Sequence, residues 1–273
     1  MTETRALRRQ ALDAALEERI LVLDGAMGTM LQQASLTAAD FGGASLEGCN
    51  EVLVRSRPDI VLAVHRAYFE AGADIVETDS FGGTSIVLDE YGLAGDAAAI
   101  NREAARLARQ AADEFSRPGR PRWVAGSMGP TTKAISVTGG VTFVQLREAY
   151  REQAAALIAG GADLLLVETC QDTRNVKAAL LGIRDAEGEA GVRVPVIVSG
   201  TIEPAGTMLA GQGADAFWVS IAHAGPLAVG LNCATGPEFM TDHLRTLHEI
   251  AWTRISCYPN AGLPNEEGRY VET

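Results

Sequence analysis

Aromatic residues make up only 5% of this 273-residue chain, and cysteine occurs four times, at positions 49, 170, 233 and 257. The thiols are far apart and form no CxxC pair. That excludes a dense disulfide framework and suits free thiols in a reducing cytoplasm. Long apolar runs are missing too: every stretch breaks well before the ~18 residues that a bilayer span needs. The opening MTETRALRRQALDAALEER has no apolar h-region, so no signal peptide is visible. Positive charge is short, with 23 Lys and Arg against 35 Asp and Glu and a formal net charge of −12. Such a surface repels phosphate backbones and anionic lipid, so neither nucleic acid nor a membrane is an expected partner.

What is present is enough for a core. Apolar residues reach 47% and charged residues 21%, an ordinary globular balance. Residues 4–19 read as an amphipathic helix, with Leu7, Ala11, Leu12, Ala15 and Leu16 near one face. A domain over 20–273 follows it. Seven short apolar runs in that domain read as strands: 20–23, 73–78, 123–127, 162–169, 194–201, 227–232 and 254–258. Helical runs alternate with them at 58–71, 97–115, 142–159, 175–187, 210–222 and 237–251. Strands that are apolar throughout are buried on both faces, the mark of parallel strands covered by helices.

Two α/β architectures compete. A doubly wound sheet would usually carry a glycine-rich phosphate loop after its first strand, but Asp24-Gly-Ala-Met-Gly28 lacks the third glycine, and no P-loop lysine occurs. A (β/α)8 TIM-type barrel gathers polar residues at the C-terminal ends of its strands. Asp24, Glu77, Ser127, Glu168, Thr201, Cys233 and Asn260 all follow apolar runs. The barrel is therefore expected, with seven strands present and the eighth missing. An internal echo fits a repeated βα unit: Gly72-Ala73-Asp74 and Gly161-Ala162-Asp163 each open a run that ends in Glu-Thr. Shared turn chemistry and duplication account for it equally well.

The strand ends carry the candidate chemistry. Asp24 sits in a turn whose glycines let a ligand approach the backbone. It either grips an ammonium group or satisfies nearby N–H groups. Glu168 directly follows a buried run and needs a partner there, which favours a functional role. Glu77 reads as a loop-orienting residue. Cys233 is a nucleophile, a metal ligand or a small buried hydrophobe. Cys49, Cys170 and Cys257 face the same choice. His243 and His248 are five apart on one helix, not a same-face spacing.

Eight segments in order then carry a family resemblance: Asp24-Gly-Ala-Met-Gly-Thr29, Glu47-Gly-Cys-Asn-Glu51, Glu77-Thr-Asp-Ser-Phe81, Ser127-Met-Gly-Pro130, Val167-Glu-Thr-Cys170, Ser199-Gly-Thr201, Gly230-Leu-Asn-Cys233 and Pro259-Asn-Ala-Gly-Leu-Pro264. Together they resemble the homocysteine-binding module of cobalamin-dependent methionine synthases, within the homocysteine S-methyltransferase family. The resemblance runs from about residue 20 to the last residue. It implies a barrel holding Zn²⁺ by three cysteines. Cys233 matches the first, while the adjacent Cys-Cys pair of the family has no counterpart, so an incomplete metal site is expected. It also implies that the Asp24, Gly25, Ala26, Met27, Gly28 turn and Glu168 hold the amino-acid head group, with Glu77 and Asn232 in support. Zinc would ionise the homocysteine thiol, whose ordinary pKa is near ~8.5. The sulfur would then take a methyl group from methylcobalamin on a separate module, which a folate-binding module recharges. The alternatives are a stand-alone homocysteine methyltransferase using a small methyl donor and a degenerate barrel that binds without chemistry.

Overall fold

The computed structural model describes residues 2–262. Leu263 and Pro264, the end of the last motif, lie outside the described residues. Helices are α1 (Thr2–Glu18), α2 (Met27–Gln33), α3 (Leu53–Ser56), α4 (Pro58–Ala71), α5 (Ser85–Leu88), α6 (Ala97–Phe115), α7 (Phe143–Gly160), α8 (Thr173–Ala190), α9 (Ala214–Ile221) and α10 (Pro237–Ile250). Strands are β1 (Ile75–Glu77), β2 (Trp123–Met128), β3 (Leu164–Cys170), β4 (Val196–Gly200), β5 (Ala228–Asn232) and β6 (Arg254–Tyr258). They stand in the sheet in sequence order, β1 to β6, the order that βα units wound in one direction produce. This is the α/β class expected, with six strands among the described residues in place of seven.

The difference lies at 20–23. Only Leu23 pairs, in an isolated parallel bridge to Ile75. The Val22 N–H, which would extend the ladder, donates instead to Asp74 Oδ2 at 3.0 Å. Ile20 is 89% exposed, so this stretch lacks the two-sided burial that its apolar run suggested. Helix 210–222 also starts later than expected, at Ala214, because Gly211 has φ 88° and Gly213 occupies the N-cap.

The chain forms two compact units. The first comprises Met1–Met128, Glu152–Leu165 and Ala186–Val194. Its β1 and β2 pair in parallel, from Ile75↔Trp123 to Glu77↔Ala125. Helix α4 begins with Pro58 at a position where a missing N–H costs nothing. Alanines along one face of α6 (Ala97, Ala104, Ala108, Ala111) are fully buried and let α4 pack close. Leu31, Phe41, Leu53, Val61, Leu88 and Ile100 join a core cluster there. His65, on α4, is wholly buried and neither ring nitrogen has a hydrogen-bond partner. Burial holds its pKa down, at about 4.

Under these strands α1 is fastened by arginines. Arg19 donates to both carboxylate oxygens of Asp74, at 2.6 and 2.8 Å, and Arg8 donates to Asp163 at 2.5 Å. The Trp123 indole N–H donates to the Arg8 carbonyl at 3.0 Å.

The second unit comprises Gly129–Arg151, Leu166–Asp185 and Pro195–Thr273. Its β4, β5 and β6 pair in parallel, through Ile197↔Ala228 and Ala228↔Arg254. Every β5 residue is buried, as a strand covered on both faces requires.

Candidate functional site

In the first unit, Asp24 and Glu77 meet at the C-terminal end of β1. The Asp24 N–H donates to the Ile75 carbonyl at 3.0 Å, and Asp24 Oδ2 accepts the Glu77 N–H at 2.9 Å. Gly25 lies against the Tyr68 ring, where a Cβ would stand 2.7 Å from the Tyr68 hydroxyl oxygen. Any side chain there would have to displace the ring. The hydroxyl donates to the Ala26 carbonyl at 3.2 Å. Burial, then the charges of Asp24 and Glu77, pushes Tyr68 up to about 12, so it stays a neutral donor. Met27 and Gly28 open α2, and Met27 packs against the core cluster.

A second acidic group stands behind the loop that follows β1. Glu51 Oε1 accepts the Gly82 N–H at 2.6 Å, and Glu51 Oε2 accepts the Cys49 thiol at 3.8 Å. Burial, then the Glu51 charge, pushes Cys49 up to about 12. That thiol is an inert core group. Asp79 is buried, and its Oδ2 has no hydrogen-bond partner. Burial, and then Glu51, raises its pKa well above the carboxylate range.

In the second unit, Asn232 is the hub. Its Oδ1 accepts the Ser199 hydroxyl at 2.7 Å and the Thr169 N–H at 2.9 Å. Its amide nitrogen donates to Thr169 Oγ1 at 2.7 Å and to Cys233 Sγ at 3.2 Å. The backbone is strained at the same place. Thr169, Cys233 and Ala234 have φ of 52°, 59° and 57°, a region that costs a non-glycine residue of order 1–3 kcal/mol. The Asn232 side chain holds Thr169 there by both its N–H and its hydroxyl. Cys233 is half-buried, and burial raises its thiol first. The Asn232 hydrogen bond opposes that rise, the Glu168 charge adds to it, and Thr169 opposes it again. Glu168 is buried on β3, and its charge also reaches Cys170. Beside it lies a cavity lined by Thr131, Tyr150, Glu168, Cys170, Asp172 and Asn175. Asp172 and Asn175 fasten the preceding loop there, accepting the Ser136 and Ile135 N–H groups at 2.7 and 3.0 Å.

The structure thus groups Asp24 and Glu77 in one unit and Glu168, Asn232 and Cys233 in the other. Tyr68, Thr169 and Ser199 were not singled out from sequence. Thr169 and Ser199 did stand inside quoted motifs, while Tyr68, in mid-helix, had no signal. His243 and His248 lie on α10, half-buried and exposed. Among the described residues no three His, Cys, Asp or Glu side chains converge on a point that could hold a metal. Cys257 is exposed on β6. Zinc held by three thiolates therefore does not fit the described residues, and no step below passes through a metal.

A family model described as homocysteine S-methyltransferase matches residues 21–273. The chain belongs to that family. Over 249 residues, 91% of this chain, it is 47% identical to the methionine synthases of Mycobacterium leprae and Mycobacterium tuberculosis. It spans about a fifth of their length, 20% and 21%. Among solved structures, the homocysteine methyltransferase MmuM from Escherichia coli, in its metallated form, superposes with a TM-score of 0.77 at 25% identity. That match covers 92% of this chain and 87% of that one. The oxidised form of MmuM gives 0.76 at 26% identity, over 91% and 85%.

Proposed function

We propose that this chain is the homocysteine-binding module of a methionine synthase-type methyltransferase. The observation that carries the reading is the Asn232 network, which sets the Cys233 thiol at a strained strand end beside the Glu168 charge. A strained, over-determined backbone held by a buried amide is what a preorganised site requires. The 47% identity to methionine synthases supports the reading.

In this scheme Glu168 pairs with the substrate ammonium. Asp24, Gly25 and Ala26 offer a turn braced by Tyr68, and Glu77 is braced in turn by Asp24. Met27 and Gly28 shape that turn from the start of α2. Asn232 and Thr169 fix Cys233, which the family resemblance makes a candidate metal ligand. The reaction would form an S–CH3 bond on homocysteine as its thiol proton leaves and as the Co–CH3 bond of methylcobalamin, carried on a cobalamin-binding module, breaks with its electron pair left on the cobalt. A folate-binding module would recharge that donor. Free thiols suit a cytoplasmic enzyme.

Titration of the chain with L-homocysteine, followed by calorimetry, tests the binding step. Glu168→Gln should weaken binding by roughly 1.5–3 kcal/mol, the range for a lost hydrogen bond to a charged group, with the thermal midpoint nearly unchanged. Equal binding by both proteins would remove Glu168 from the site, and no binding by either would sink the reading. A second reading, a stand-alone homocysteine methyltransferase using a small methyl donor, has in its favour only that the match to the homocysteine methyltransferase MmuM covers 87% of that chain.

A further inference from the structure

Helix α1 crosses the base of the first unit, and charge holds it there more than apolar burial does. Leu12 is its one buried residue among those described, and Leu7 is 60% exposed. The attachments run to the starts of three strands. Arg19, just past α1, donates to both oxygens of Asp74, the residue before β1, and Arg8 donates to Asp163, the residue before β3. The Arg8 carbonyl accepts the indole N–H of Trp123, the first residue of β2. Arg5 donates to the Ile158 carbonyl at 2.7 Å and to the Ala162 carbonyl, where α7 ends. A cation suits those carbonyls, because a helix C-terminus carries partial negative charge.

Each of the two aspartates is served twice. Asp74 also accepts from Arg122 at 2.9 Å and from the Val22 N–H at 3.0 Å. Asp163 also accepts from Arg109 at 2.6 Å and from the Val124 N–H at 3.0 Å. Were α1 to lift away, neither carboxylate would be left buried without a cation, the outcome that costs most. The two sets of arginines also differ in access to water. The Arg8 and Arg19 side chains are 23% and 44% exposed, against 11% and 3% for Arg109 and Arg122. Burial holds Arg5 below the usual arginine range, against the pull of the Asp163 charge, so its guanidinium regains hydration when it leaves. The departure of α1 therefore orphans no buried charge.

We propose that α1 is a releasable strap, which detaches from the base as a whole while β1, β2 and β3 stay folded, and that ionic strength sets how often it does so. Such a partial opening is a defined state of a native protein when the freed segment carries few buried apolar contacts. A 17-residue helix is marginal in water by itself, so the detached strap melts. Salt acts on the outer arginines, which water already reaches, and spares the buried inner pairs. The proposal holds whatever ligand the chain binds.

Amide hydrogen exchange on the full chain tests it, followed by mass spectrometry in low salt and at about 1 M salt, where the screening length falls to ~3 Å. Amides 6–19 should exchange many-fold faster than those of β2 and β3, at one common rate, and several-fold faster again in high salt. The β2 and β3 amides should keep their rates. Arg8→Gln should speed exchange along all of α1 several-fold even in low salt, with β2 unchanged, and Arg5→Gln replaces it if that variant does not fold. Exchange of α1 in step with β2 would mean that the helix leaves only on global unfolding, and would overturn the strap. Protection that climbs steadily from the first turn of α1 to the last would be end fraying, and would overturn release as a whole. Rates along α1 that ignore both salt and the arginine substitutions would overturn the charge latch.

Discussion

Asp74 and Asp79 flank β1, one at each end, and meet opposite surroundings. Asp74 is buried at the N-terminal end, where Arg19, Arg122 and the Val22 N–H all converge on its carboxylate. Burial pushes its pKa up, but the Arg19 hydrogen bond, the Val22 N–H and the two arginine charges outweigh that and leave it lowered. Asp79 is equally buried at the C-terminal end, faces Glu51, and is raised. Asp163, at the start of β3, repeats the Asp74 arrangement with Arg8, Arg109 and the Val124 N–H. Carboxylates matched by arginine hold the base of the strands to α1. The other end of β1 keeps the poorly matched Asp79 beside the candidate binding residues. The ion-paired acids and the candidate binding residues thus lie at opposite ends of β1, the division expected of a barrel enzyme.

The largest expected effect comes from breaking the base. Asp74→Ala should cost about 3–5 kcal/mol, because it leaves Arg122 buried and uncompensated. The Arg122 side chain is 3% exposed, so water cannot replace the lost partner. Urea unfolding measures the cost. A loss under ~1 kcal/mol would mean that the base pairs contribute no more than exposed ion pairs do.

Next in size is the buried histidine, a base-type group with the same lack of partners as Asp79. Its native pKa of about 4 lies below the unfolded value of 6.5. Between those values the unfolded chain binds a proton that the native chain refuses. The stability is whole above pH 6.5 and is lost as pH falls through 4, by about 3 kcal/mol in total. Unfolding of His65→Leu at pH 7 and pH 4.5 checks this. The variant should lose less stability than wild type on acidification, and equal acid losses would show that His65 finds a partner.

Asp79 should have the opposite slope. Its native carboxyl keeps a proton above 3.8 that the unfolded chain sheds, so its contribution falls as pH rises from 3.8 through the raised native value. Asp79→Asn removes the titration and keeps the shape. The substitution should stabilise the chain at pH 8 by on the order of 1–3 kcal/mol, the cost of a poorly satisfied buried polar group, and by less at pH 4. Thermal midpoints at both values decide it. Glu51 and the Cys49 thiol are the titratable neighbours whose charge state Asp79 senses, and the same scan on Glu51→Gln separates their share.

Much of this architecture was readable from apolar runs, because strands buried on both faces leave an unbroken signal. The segment at 20–23 misled for a physical reason: a side-chain carboxylate from residue 74 takes the N–H that a ladder would use, and no local pattern encodes that. The echo of Gly-Ala-Asp at 72–74 and 161–163 was visible, but its purpose was not. The arginines that answer it come from positions 8, 19, 109 and 122, far away in the chain. The candidate site residues were legible as strand-end polar groups, a placement the structure keeps for Asp24, Glu77, Glu168 and Asn232. Their grouping was not, since Asp24 meets Glu77 across 53 positions and Asn232 meets Thr169 across 63. Short helices such as α2, α3 and α5 were missed because four to seven residues carry too little periodicity to read.

The smallest effect sharpens the comparison within the base itself. Arg19 and Arg122 share the Asp74 carboxylate, yet the Arg19 side chain is 44% exposed while that of Arg122 is 3% exposed. Water can solvate whatever Arg19→Ala uncovers, and Asp74 would keep Arg122 at 2.9 Å and the Val22 N–H at 3.0 Å. The expected cost is therefore at most about 1 kcal/mol, that of an exposed pair, and it should shrink further in high salt. The Val22 amide should stay protected from exchange, because its acceptor is Asp74 and not the arginine. A loss approaching that of Asp74→Ala would show that the two arginines act as one cooperative clamp, with α1 as its third member. In that case the fastening of α1, more than the burial of Arg122, would be what the base of β1 contributes to stability.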